Sequence, residues 1–231
     1  MPGSFRCFSC FSRPGRYSLA AQMITALLLI FEPVDTWDKI IKAERKPVTV
    51  FFVHLLPMML IALGFEAFSL VHWGESRSLS GSITPVSPQR AQDYGIAQFV
   101  LLLVVIFLGA RILQKLAQSF HSVHTYGQCF ITLAYSLSPL FLGRVLDAWY
   151  FIETWVCWAL GATLSIAVLY QGLPRILMPD PTVALGIYIV SSVLILILAA
   201  AAHYLALLVL HGYIQLPIPA IARTLSSLVA T

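Results

Sequence analysis

The sequence predicts an all-α polytopic membrane protein, with five transmembrane helices and an N-terminal interfacial amphipathic helix before them. Three observations carry this. The chain is 59% hydrophobic and only 10% charged, with a mean hydropathy of +0.85. A soluble fold would leave too much of that apolar surface in water. Five long apolar stretches run from about Val48 to Leu210, divided only by short polar loops. A bilayer core of about 30 Å offers the backbone no water, so spanning segments are helices that satisfy their own hydrogen bonds.

The first span is expected at 48–71, after a charged segment and with Pro57 inside it. The second is expected at 96–117, where Arg111 and Lys115 near its end can snorkel to the headgroups. The third, 128–147, is short and broken by Ser136, Ser138 and Pro139. The fourth, 149–171, opens on Trp149, Tyr150 and Trp155, with Gly172 and Pro174 as its stop and turn. The fifth, 182–210, exceeds the core thickness and must tilt or emerge. Small residues at Gly109, Ala110, Gly143, Gly161, Ala162 and 199–202 suit close helix contacts.

Residues 1–47 read as an arm, of which 1–16 are a basic lead. Residues 17–31 are apolar, but their core from Met23 to Phe31 is too short to span. Arg13 and Arg16 precede this run as in a signal peptide, yet Glu32, Pro33, Val34 and Asp35 follow it without a small-residue cleavage site. The segment is therefore expected to remain as a helix lying on the membrane surface, ended by Pro33. A second amphipathic turn begins at Thr36. Trp37 and Ile40 can dip into the headgroup boundary there, while Lys39, Lys42, Arg45 and Lys46 face lipid or a partner.

Counting basic residues by loop sets the orientation. One side collects Arg6, Arg13, Arg16, Lys39, Lys42, Arg45, Lys46, Arg111, Lys115 and Arg175; the other collects Arg77, Arg90, Arg144 and Arg223. The N-terminus is expected in the cytoplasm and the C-terminus outside. The formal charge of +4 then needs no nucleic acid to explain it.

Few residues suggest chemistry. Glu66 is the lone carboxylate well inside an apolar run, which makes it a functional candidate. It lies roughly 27 Å along span one by helical rise, near the outer interface, so a solvated Glu is the plainer reading. His203 lies roughly 31 Å along span five, a similar level, where the two can pair or stand wetted at the rim. His54 sits two turns into span one, as a relay group or as a donor to a neighbouring carbonyl. His121, His124 and Cys129 have a loose metal spacing but no fourth ligand, so no metal is expected. Cys7 and Cys10 form an isolated C-x-x-C, and Cys129 and Cys157 lie in apolar runs. No nucleophile elbow, P-loop, dinucleotide fingerprint or zinc-protease motif occurs, and no cofactor is expected.

An ordered set of short motifs runs through the chain. Phe31, Glu32 and Pro33 lead into Thr36, Trp37, Asp38, Lys39 and Ile40. Phe120 ends the second helix, and the third carries Ala134 to Leu140 with Ser136, Ser138 and Pro139 inside. Tyr170 to Pro174, Met178 and the Ala184 to Tyr188 segment complete the order. This set resembles the Ypt/Rab-interacting membrane protein (YIP) family, more its compact prokaryotic branch. The resemblance implies five spans, a cytoplasmic N-terminus and, for a prokaryotic member, the bacterial inner membrane. Relatives often carry paired glycines where this chain has His121 and Ser122. They often carry a Lys-containing loop where it has Pro179, Asp180 and Pro181.

The expected function is that of a non-enzymatic protein that organises membrane or binds partners, or an accessory subunit of a larger membrane complex. Its expected partners are the bilayer and other membrane proteins. The alternative is a small solute or ion transporter or channel using the broken third span with His54, Glu66 and His203. The oligomeric state is not set by the sequence.

Overall fold

The computed structural model describes residues 19–77, 82–84, 86–119, 125–147, 154–177 and 181–214. Within them, five helices are long and apolar enough to cross a bilayer: Pro47–Trp73, Pro88–Ser119, Tyr126–Leu146, Thr154–Ile176 and Leu185–Leu210. The protein is an all-α, multi-pass membrane protein. Large apolar side chains such as Phe52, Leu60, Val104, Leu160 and Ile197 remain exposed on the bundle's outside, where lipid tails cover them.

Pro57 shapes span one. Proline cannot donate a hydrogen bond, and its ring crowds the carbonyl four residues before it. The helix answers with a widened π turn, Phe51–Leu55, between α3 (Pro47–Val50) and α4 (Leu56–Trp73). Across this turn the Leu56 N–H reaches the Phe51 carbonyl. A short antiparallel ribbon, β1 (Glu75–Arg77) with β2 (Ser82–Thr84), follows. Span two is α5 (Pro88–Ser119), longer at its start than the apolar run alone predicts.

Span three is the centre of the bundle, with every residue from 132 to 141 buried. It breaks as expected, into α6 (Tyr126–Ser136) and α7 (Ser138–Leu146). Pro139 has no N–H to continue the ladder, and the Leu140 N–H after it donates both to the Leu137 carbonyl at 3.0 Å and to Ser165 Oγ of span four at 3.1 Å. Span four is α8 (Thr154–Leu177) and span five begins in α9 (Pro181–Leu210). Spans three and four meet backbone to backbone. A methyl on Gly143 would lie 2.8 Å from the Cys157 carbonyl oxygen, and one on Gly161 3.1 Å from Leu140 Cα. The small residues thus serve close packing there. Span five leans mainly along span two.

One expectation is corrected. Gly172 and Pro174 do not stop span four; α8 runs through both to Leu177. Gly172 is instead a notch, because a methyl there would lie 2.3 Å from the Trp37 indole. The tryptophan and tyrosine at 149 and 150, expected to open span four, lie outside the described residues.

In the arm, α1 (Leu19–Phe31) and α2 (Pro33–Lys42) follow one another with Glu32 alone between them, and they touch. α1 touches α4, α7 and α8, and it buries Ala26 and Leu29 completely in the main core. Ile24, Leu27 and Phe31 stay exposed. The two-faced pattern belongs to α2. It buries Thr36, Trp37 and Ile40 and exposes Asp35, Asp38, Lys39 and Lys42. α2 ends at Ala43, and Glu44 then adopts a left-handed φ of 41°.

Candidate functional site

Among the described residues, two polar clusters lie inside the bundle, one toward each end. The first surrounds the break in span three. The π turn at Phe51–Leu55 carries His54, which faces span three. Its Nε2 lies 2.8 Å from Ser138 Oγ, and the Ser138 hydroxyl is also 3.5 Å from the Ala134 carbonyl. If the hydroxyl donates to that carbonyl, the His54 Nε2–H donates to Ser138. The Tyr135 ring packs 4.4 Å from the imidazole, and its hydroxyl accepts from Arg45 Nη1 at 3.5 Å. Trp37 stands edge-on to Tyr135 at 6.1 Å and donates from Nε1 to the Val168 carbonyl at 3.2 Å. A continuous set of contacts therefore joins the arm to the middle of span three. Trp37, His54, Tyr135, Ser136 and Ser138 are all buried.

The second cluster draws on four spans. Glu66 of span one accepts from Arg144 Nη1 of span three at 2.8 Å and from the Tyr94 hydroxyl of span two at 2.5 Å. Gln98, also of span two, sets its amide 2.9 Å from Nη1 and 2.6 Å from Nη2 of the guanidinium, and because both of these are donors the amide is assigned with its oxygen toward them. His203 of span five lies within electrostatic range of Arg144 and Glu66. Its Nδ1 is buried and has no hydrogen-bond partner among the described residues. Glu66 and Arg144 are each only 5% exposed. These groups come from the last thirds of spans one, three and five and the first third of span two. The helices therefore alternate in direction.

Several expectations change. Glu66 is no solvated rim residue. Its carboxylate is enclosed because Arg144, Tyr94 and Gln98 supply the charge and hydrogen bonds that water would otherwise give. His203 reaches the same level, as matched rise implied, but the partner Glu66 takes is Arg144. Arg144 is no loop charge, which leaves three basic residues on the sparser side of the count. Trp37 does not face lipid or a partner. It is wholly buried because Gly172 leaves room for its indole and Val168 accepts its N–H. Lys39, Lys42 and Lys46 are exposed and Arg45 is half-buried.

Sequence reasoning missed Arg144, Tyr94 and Gln98. A signal was present: one arginine inside a predicted span and one glutamate inside another rarely stay apart in lipid. No group of three His, Cys, Asp or Glu residues among those described is placed to hold a metal. The residues at 121 and 124, and the cysteines at 7 and 10, lie outside the described residues; Cys129 and Cys157 are buried.

At the arm end, a groove of about 640 Å³ opens between the α2–α3 turn, the start of α6 and the end of α8. Arg45 and Arg175 line it, together with Glu44, Ile41, Ile131 and Ile176. Arg175 Nε lies 3.5 Å from Asp38 of α2, a second tie between arm and span four.

These features define a class: a multi-pass membrane protein of five spans, with an arm packed on the bundle and polar ties between helices. The Yip1 domain family matches residues 27–203. The chain belongs to that family, the YIP family of membrane proteins. No curated protein and no solved structure matches it.

Proposed function

We propose that the protein is a non-enzymatic organiser of membrane, acting through partners or as an accessory subunit of a larger membrane complex. The observation that carries this reading is how the polar groups of the spans are used. Glu66, Tyr94, Gln98 and Arg144 bond to one another across three helices, and His54 bonds to Ser138 across two. Groups tied in this way fix the spans against each other. The exposed charge gathers on α2 and the turn after it, at Lys39, Lys42 and Lys46 beside Arg45. That surface is the working face of the protein.

In this reading the arm end faces the cytoplasm and the C-terminus lies outside, in a bacterial inner membrane. The charge count and the family's prokaryotic branch support it. Reporter fusions after Ser80 and after Thr231 are then outside, and one after Thr125 is inside.

The functional test is site-specific photocrosslinking from positions 39, 42 and 46 in the native membrane. The reading predicts defined protein adducts that disappear when Lys42, Arg45 and Lys46 are reversed to Glu, with the bundle still folded. No adduct from any of the three positions, or adducts unaffected by charge reversal, would refute it.

A further inference from the structure

The arm-end groove has two chemistries on its walls. Arg45 comes from the turn before span one and Arg175 from the last turns of span four, so two guanidinium groups from separate elements approach one space. The rest is largely aliphatic, with Ile41, Ile131 and Ile176. Glu44 is the sole carboxylate among the described lining residues, and exposed Lys42 and Lys46 flank the turn.

Position matters as much as composition. The groove lies where spans one and three begin and span four ends. That is the level of the phospholipid headgroups, about 15 Å from the bilayer midplane. A ligand that is anionic at one end and apolar at the other is present there at high concentration.

We propose that this groove is a binding site for one anionic phospholipid. Its phosphodiester sits between Arg45 and Arg175, and its glycerol and first acyl carbons lie on the three isoleucines. Guanidinium forks match phosphate oxygens two at a time, and each group has five N–H donors. Arg45 therefore keeps its contact with Tyr135, and Arg175 its contacts with Asp38 and Gln171, while each also reaches phosphate. A volume of about 640 Å³ admits a headgroup with the start of its chains. The aliphatic wall argues for a lipid over an acidic peptide, which would bring no apolar tail to cover it. The site deepens the reading of the arm as a membrane-facing surface. It rests on the five-span architecture and not on a protein partner, so either can fail alone.

The test is native mass spectrometry of the full chain, delipidated in mild detergent. Phosphatidylglycerol and phosphatidylcholine of identical acyl chains are titrated separately. Two arginines near the surface predict a preference of about thirtyfold for phosphatidylglycerol. R45Q/R175Q should abolish the preference, whereas R90Q, an exposed arginine at the other end of the bundle, should keep it. Ile41→Trp, which fills the groove and leaves both arginines, should weaken phosphatidylglycerol binding in the same way and guards against misfolding of the double variant. Equal binding of the two lipids, or a preference that survives R45Q/R175Q, overturns the proposal. Displacement of the lipid by millimolar inorganic phosphate overturns it in favour of a plain anion site. Displacement by a tetraglutamate peptide overturns it in favour of an acidic protein segment.

Discussion

Replacing Glu66 by Gln should be among the most damaging single changes in the bundle. Arg144 donates to Glu66 at 2.8 Å, and both side chains are nearly sealed from solvent. The variant keeps the shape and removes the negative charge, so the guanidinium stays enclosed without its counter-ion. Breaking a buried pair on one side costs about 3–5 kcal/mol, because the surviving charge has neither partner nor water. Removing both charges behaves differently. In E66M/R144M no charge remains buried, and what persists is the Tyr94 hydroxyl and the Gln98 amide short of partners, each about 1–3 kcal/mol. The double variant should therefore cost less than E66M and R144M summed, by at least about 2 kcal/mol. Equilibrium unfolding in mild detergent, followed by tryptophan fluorescence, measures all four corners of the cycle. Strict additivity, or a loss under about 0.5 kcal/mol for Glu66→Gln, would show that the pair does not hold spans one and three together.

Other changes probe the arm and the breaks. Gly172→Ala places a methyl 2.3 Å from the Trp37 indole and should undock α2, detected as new protease or thiol accessibility in the arm; Trp37→Ala in the same chain should relieve the clash. Glu44 holds a left-handed φ of 41°, so Glu44→Val should lower stability by about 1 kcal/mol or more while Glu44→Gly should not, as read by thermal unfolding. Ser165→Ala removes one of the two acceptors of the Leu140 N–H at the span-three break, leaving the Leu137 carbonyl, and should cost about 0.5 kcal/mol in the same assay.

The architecture was legible because length and apolarity alone define a span in lipid. The break at Ser136, Ser138 and Pro139 was legible for a related reason: proline removes a backbone donor wherever it sits. Boundaries were less so. Gly172 and Pro174 look like a helix end, yet the helix continues, because the packing of Trp37 from 131 or more residues away decides the role of that glycine. The same long-range pairing hid the use of Glu66. Its depth was readable from helical rise, but its partner comes from two helices further on, and no local pattern points to Arg144. Trp37 illustrates the opposite error. An aromatic beside lysines reads as an interfacial anchor, and only the notch in span four shows that it turns inward.

If the polar groups inside the spans serve to tie helices together and the exposed arm is the working surface, the bundle conducts no protons. Proton flux into reconstituted vesicles, read with an entrapped pH dye after an external acid pulse, tests it most directly. The wild-type protein, His54→Phe and protein-free vesicles should then all give the same flux. A wild-type flux well above the protein-free rate that falls away in His54→Phe would contradict it and make the broken third span a conduction path.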